Sequence, residues 1–168
     1  MLDIITRIKS FLDKFLFSIC IVIMTVLVID VSWQVLSRYL VGEPSLYTDE
    51  LARFLMVWLT FLGGAYMFGS DSHLSVNSLR DMMPAKMQNA IFIFTYLLIG
   101  GFAVLVMILG SQRLILRTIS QPSPSLGIPM GYFYSILPLS ATFIIIYMLL
   151  NLGEMFYKSK AVTKQEQK

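Results

Sequence analysis

One histidine, His73, and one cysteine, Cys20, are all the imidazole and thiol that this 168-residue sequence offers a metal. A structural zinc site draws on several such ligands, and a bis-histidine haem needs two axial imidazoles, so this chain builds neither. A lone cysteine inside an apolar run also excludes an intrachain disulfide. Charge is scarce as well: 14% of residues are Asp, Glu, Lys or Arg, against roughly a quarter in soluble domains. The net charge of +3 does not point to nucleic acid, because the basic residues flank apolar runs and form no patch of their own. No Ser/His/Asp set, phosphate loop or carboxylate pair at catalytic spacing is present, which argues against an enzyme, and no cofactor is expected.

What the sequence has in abundance is apolar length. Apolar residues make up 57% of the chain and the mean hydropathy is +0.74. Four runs, at about 15–37, 50–68, 90–110 and 132–152, each approach the ~20 residues that cross a bilayer as a helix. The expected fold is therefore an all-α integral membrane protein, one four-helix membrane domain over residues 1–155 with a polar tail at 156–168. The first run is too long for a signal-peptide core and no small-residue cleavage site follows it.

The connecting segments refine this plan. Ile4, Ile5, Ile8, Phe11, Leu12 and Phe15 recur at helical spacing with Arg7, Lys9 and Lys14 mostly elsewhere, which predicts an interfacial amphipathic helix over about 3–14. Thr48 suits an N-cap for the second span, with Asp49 and Glu50 complementing the helix dipole. Leu74 to Met83 reads as a second surface helix, stopped by Pro84. Pro122, Pro124 and Pro129 exclude a continuous helix there, so Ser111 to Gly131 reads as a loop. Nine of the 13 Lys and Arg residues fall on the side that holds both termini, which places both termini in the cytoplasm.

Candidate functional residues are few. Asp30 is the only ionisable group within the first span, and a carboxylate in a bilayer is costly unless paired or neutralised. It either binds a proton or cation or takes a structural partner; Gln34 and Arg38 follow at four-residue steps on its helix, and Arg53 lies on the next. Glu50 and Arg53 stand at i, i+3, close enough to pair. Gly63 and Gly64, and again Gly100 and Gly101, give small faces that let another helix approach closely. Trp58 lies deeper in the second span, and His73 falls in a polar loop.

These pieces also follow one another in a familiar order. Arg38-Tyr39, Asp49-Glu50-Leu51-Ala52-Arg53, Trp58, Phe61-Leu62-Gly63-Gly64-Ala65, His73-Leu74-Ser75-Val76, Ser125-Leu126-Gly127-Ile128-Pro129 and Pro138 occur in sequence. Together they resemble the small membrane subunit, of DctQ type, of tripartite ATP-independent periplasmic (TRAP) transporters. The resemblance covers roughly residues 10–155; the chain departs from it at Tyr47, where Trp is common, and in lacking a basic residue just ahead of His73.

The resemblance implies a non-catalytic subunit of the bacterial inner membrane that acts as a stator for a large elevator-type subunit. That assembly takes up an organic acid, a C4-dicarboxylate or a sialic acid, with sodium, from a periplasmic binding protein. The implied partners are the large permease subunit, the binding protein and membrane lipid. The rival reading from the residues alone is a self-contained homo-oligomeric transporter with Asp30 as its coupling carboxylate.

Overall fold

The structure, a computed structural model, describes residues 2–40, 46–69 and 85–166, with side chains described over 4–40, 46–69 and 93–154. The expectations for His73 and for the surface helix from Leu74 to Met83 lie outside the described residues. Helix α1 spans Leu2–Leu40, α2 Leu46–Gly69, α3 Ala85–Phe102, α4 Ser111–Thr118, α5 Met130–Tyr134 and α6 Ile136–Glu166, and a π-helical stretch, Ala103–Gly110, joins α3 to α4. Four stretches are long and apolar enough to cross a bilayer: Ile4–Leu40, Leu46–Gly69, Ile93–Thr118 and Met130–Glu154. The all-α, four-span expectation holds.

Helix α1 lies along α2, α2 packs on α6, and α6 packs on the π-helical stretch, so α2 and α6 form the middle of the bundle. Every buried residue of α1 falls on one seven-residue step: Lys9, Leu16, Ile23, Asp30 and Ser37. That period keeps a single seam against a neighbouring helix, as in left-handed bundles whose helices cross at about 20°. Two apolar clusters build the α1–α2–α6 contact. Leu16, Ala65, Phe68, Tyr96 and Tyr147 meet near the chain termini, here called the terminal end; Ile23, Leu62 and Ile136 meet nearer the opposite, loop end.

Several boundaries differ from expectation, each for a local reason. No Gly or Pro stands between Asp3 and Phe15, so nothing breaks the helix there, and α1 runs unbroken for 39 residues. The apolar stripe of that segment also splits: Ile4, Ile8, Phe11 and Phe15 face outward, Ile5 and Leu12 are half-buried, and Lys9 is buried. The segment is thus continuous with the span and turns a charged residue toward its neighbours. Helix α2 begins at Leu46, so Thr48 lies inside its first turn.

The third span does not end near residue 110. It continues to Thr118, and the loop proper begins only after it. No proline interrupts the helix before Pro122, and the hydroxyl of buried Ser111 is satisfied within it, donating to the carbonyls of Met107 and Ile108. The fourth span is broken at Ser135, between α5 and α6. Pro138 explains the break, because it has no N–H for the carbonyl four residues back and its ring crowds that carbonyl. Helix α6 then runs on to Glu166, so the tail from residue 156 is helical for most of its length.

Candidate functional site

The polar chemistry of the described chain collects at the two ends of the bundle. At the loop end, α2 offers three side chains at four-residue steps, and all three grip the segment from residue 125 to residue 133. A Glu50 carboxylate oxygen, Oε2, accepts hydrogen bonds from the backbone N–H groups of Ser125, at 2.8 Å, and Leu126, at 3.0 Å. One turn deeper, the Phe54 ring stacks on Phe133 with centroids 4.3 Å apart. A further turn in, Trp58 Nε1 donates to the carbonyl oxygen of Phe133 at 3.3 Å.

The gripped loop is itself closed. Pro122 and Pro129 form an isolated antiparallel bridge, Ser123 N–H donates to Ile128 O at 2.9 Å, and Met130 N–H donates to Gln121 O at 2.9 Å. Gly127 turns the chain with a φ of 67°, a conformation that favours glycine. Behind the loop, a Cβ on Gly131 would stand 2.9 Å from the Cα of Ile119, so only glycine lets α5 sit this close to the end of α4.

On another face of α2, Arg53 donates to Asp49 at 2.7 Å, and Gln34 of α1 reaches the other Asp49 oxygen at 3.4 Å. The expected Glu50–Arg53 pair is therefore corrected: Asp49 takes the arginine, one full turn away, which leaves Glu50 free for the loop. The expected polar seam is corrected in part. Asp30 and Gln34 do face α2, but Arg38 is exposed, and Arg53 is turned outward to Asp49. Neither arginine meets Asp30.

At the terminal end, α6 supplies the corresponding ties. Tyr147, fully buried, donates its hydroxyl to Asp13 Oδ1 at 2.7 Å. Asn151 Nδ2 donates to the hydroxyl of Tyr96 at 3.0 Å, in the buried interior. Lys9 and Glu154 face each other at 3.9 Å. The glycine contacts also sort themselves here. Gly100 packs on Met148 and Gly69 on the Tyr147 ring, whereas a Cβ added at Gly63, Gly64 or Gly101 would meet no atom within 4 Å. Among the described residues, the small faces at Gly63, Gly64 and Gly101 thus remain open.

Sequence reasoning named Ser125 and Leu126 only within a family motif and missed their backbone N–H groups as the partners of Glu50, along with the tyrosine and asparagine ties of α6. One signal was available: Glu50, Phe54 and Trp58 share a helix face at i, i+4 and i+8. Among the described residues, no group of three His, Cys, Asp or Glu side chains could hold a metal ion. The arrangement binds helices to one another and to a loop, with each of these hydrogen bonds made inside the chain.

Comparison with known proteins gives this scaffold its context. The family of tripartite ATP-independent periplasmic transporters, DctQ component, matches residues 15–157. A TRAP transporter small permease protein of Haemophilus influenzae is 31% identical over 129 residues, 76% of this chain and 80% of that one. The sialic acid TRAP transporter small permease protein SiaQ of Vibrio cholerae is 25% identical over 127 residues, 76% of this chain and 73% of its own length. The isethionate TRAP transporter permease protein DctMQ of Oleidesulfovibrio alaskensis is 24% identical over 137 residues, and there the matched part is only 22% of a much longer chain. The chain is thus a multi-pass protein of the bacterial inner membrane that belongs to the DctQ family, the small permease subunits of TRAP transporters, which work with a large permease subunit.

Proposed function

We propose that this subunit is the non-catalytic stator of its transporter: it packs against the large elevator-type subunit and enlarges the part that stays fixed while substrate moves. The observation that carries this reading is the set of ties at both ends of the bundle. Glu50 and Trp58 join the second span to the loop and the fourth; Tyr147 joins the fourth to the first; Asn151 joins the fourth to the third. A body whose spans are cross-linked at both ends suits a fixed scaffold better than a moving carrier.

The outer surface is in keeping with this. Exposed Val22, Ile29, Leu97 and Leu105, with the open Gly63–Gly64 face, offer apolar area for lipid and for a partner helix. Both termini lie in the cytoplasm on this reading, and the loop from Gln121 to Pro129 faces the periplasmic binding protein. The transported compound is an organic acid taken up with sodium. The relatives named for sialic acid and isethionate carry organic anions, and the C4-dicarboxylate and sialic acid classes fit that chemistry.

Affinity purification of the tagged chain from its native membrane in mild detergent tests the proposal. Recovery of a large, very hydrophobic protein near one to one is the expected result. Recovery of this chain alone, as a defined homo-oligomer that transports in vesicles, would overturn it in favour of the self-contained transporter.

A further inference from the structure

Asp30 is the one carboxylate within a span that none of these ties uses. It occupies the seam of α1 between Ile23 and Ser37, is 8% exposed, and its Oδ2 is buried with no hydrogen-bond partner among the described residues. The polar groups that flank it along α1 and α2 are already engaged. Gln34 Nε2 and the Arg53 guanidinium both donate to Asp49, and Ser37 Oγ donates to the carbonyl of Gln34. Arg38 is exposed, and α6 meets the neighbouring stretch of the seam, at Ile23 and Leu62, through apolar Ile136 and Leu137. In this structure neither flanking arginine pairs with Asp30: Arg53 is taken by Asp49 and Arg38 is turned to the surface.

Two ligands can relieve a buried carboxylate, a metal cation or a proton. A hard cation takes about six oxygen ligands, and the side chains flanking Asp30 supply far fewer: the amide oxygen of Gln34 and the hydroxyl oxygen of Ser37, which keeps its lone pairs while it donates. A proton needs one carboxylate oxygen and one acceptor, and the helix supplies acceptors along its own length. Ser18, Thr25 and Thr60 each donate a hydroxyl to the carbonyl four residues back, at 2.7 to 2.8 Å. The corresponding carbonyl for residue 30 belongs to Val26.

We propose that Asp30 is a proton-binding site, held in the α1–α2 seam as a neutral carboxylic acid whose O–H is directed to the Val26 carbonyl of its own helix. A neutral acid in that place needs no counter-ion within the α1–α2 seam, which continues as apolar packing from Asp30 toward Ile23. The proton is taken from solvent when α1 and α2 associate and is released when they part. The site is independent of the stator reading, since it depends on the α1–α2 contact within this chain alone.

The test is infrared spectroscopy of the full chain in lipid nanodiscs, wild type against Asp30→Asn, at pH 7. The expected difference spectrum contains one carboxylic-acid C=O band, downshifted in deuterium oxide and absent from the variant, while the melting midpoint is unchanged because Asn mimics the neutral acid. A difference spectrum with only carboxylate bands overturns the proposal. Should the variant fail to accumulate, the chain labelled with ¹³C-aspartate is compared with Asp13→Asn carrying the same label, which removes the other aspartate tied in the bundle. A labelled carboxylic band that persists to pH 8 in both supports the site, and its absence from either overturns it.

Discussion

Gly69→Ala adds one methyl group at the last residue of α2, and the surrounding side chains leave it no space. The new Cβ would stand 2.5 Å from Cδ1 of Tyr147 and closer still to its Cε1 and Cζ. Carbon atoms in contact sit about 3.5–4.0 Å apart, so the ring must retreat by about 1 Å or more. It has little room to do so: Tyr147 is fully buried among Leu16, Phe68 and Tyr96, and its hydroxyl is tethered to Asp13. Overpacking of this kind costs about 1–3 kcal/mol. The gain in helix propensity from Gly to Ala, at most about 1 kcal/mol in a helix interior, is smaller at a terminal residue.

Gly63→Ala and Gly64→Ala are the internal controls. They lie in the same helix with no atom within 4 Å of the added carbon, so only the propensity gain remains and both variants should hold or slightly raise stability. Thermal unfolding of the full chain in one detergent compares the three. At about 2–4 °C per kcal/mol for a chain of this size, Gly69→Ala should melt several degrees below wild type, and the further drop it causes should be smaller in a Tyr147→Phe background, where the ring is untethered. A Gly69→Ala chain as stable as the Gly63→Ala chain would show that the Tyr147 contact does not hold the terminal end together.

Further outcomes follow from the other ties. Glu50→Ala should speed deuterium exchange at the Ser125 and Leu126 amides while exchange within α2 is unchanged; equal protection at both amides would exclude the clasp. Tyr96→Phe takes away the acceptor of Asn151 Nδ2 in a buried setting and should cost about 1–3 kcal/mol, read as a lowered melting midpoint. Trp58→Phe keeps an aromatic ring but loses the bond to the Phe133 carbonyl, a loss of about 0.5–1.5 kcal/mol by the same assay, and a midpoint equal to wild type would refute it. Gly64→Leu fills a face that is open in this chain, so it should leave the melting midpoint alone yet lower recovery of the large subunit on affinity purification; undiminished recovery would move the docking surface elsewhere.

Much of the architecture is legible in the residues. The four spans, the turn-forming prolines at 122 to 129 and the weight of basic residues on one side all follow from composition and local rules. Helix ends are harder. The third span reaches Thr118 because no proline stands within it before Pro122, and the break at Ser135 reflects Pro138 three residues later. At the candidate site, charge and proximity along the chain pair Glu50 with Arg53. In the fold, Glu50 instead reaches a loop 75 residues away, to backbone groups that every residue but proline carries.

By itself, then, the sequence determined the class of protein, the number of crossings and the family, because bilayer thickness imposes a length and a hydropathy that no soluble helix needs. Only the tertiary structure decided which face of each helix is inside. In water the apolar face marks the core, but lipid is as apolar as a protein interior, so hydropathy along a span does not separate lipid-facing from helix-facing residues. That is why the seam of α1 holds Lys9, Asp30 and Ser37 while Phe11, Val22 and Ile29 look outward. Packing and hydrogen bonds between distant segments set that orientation.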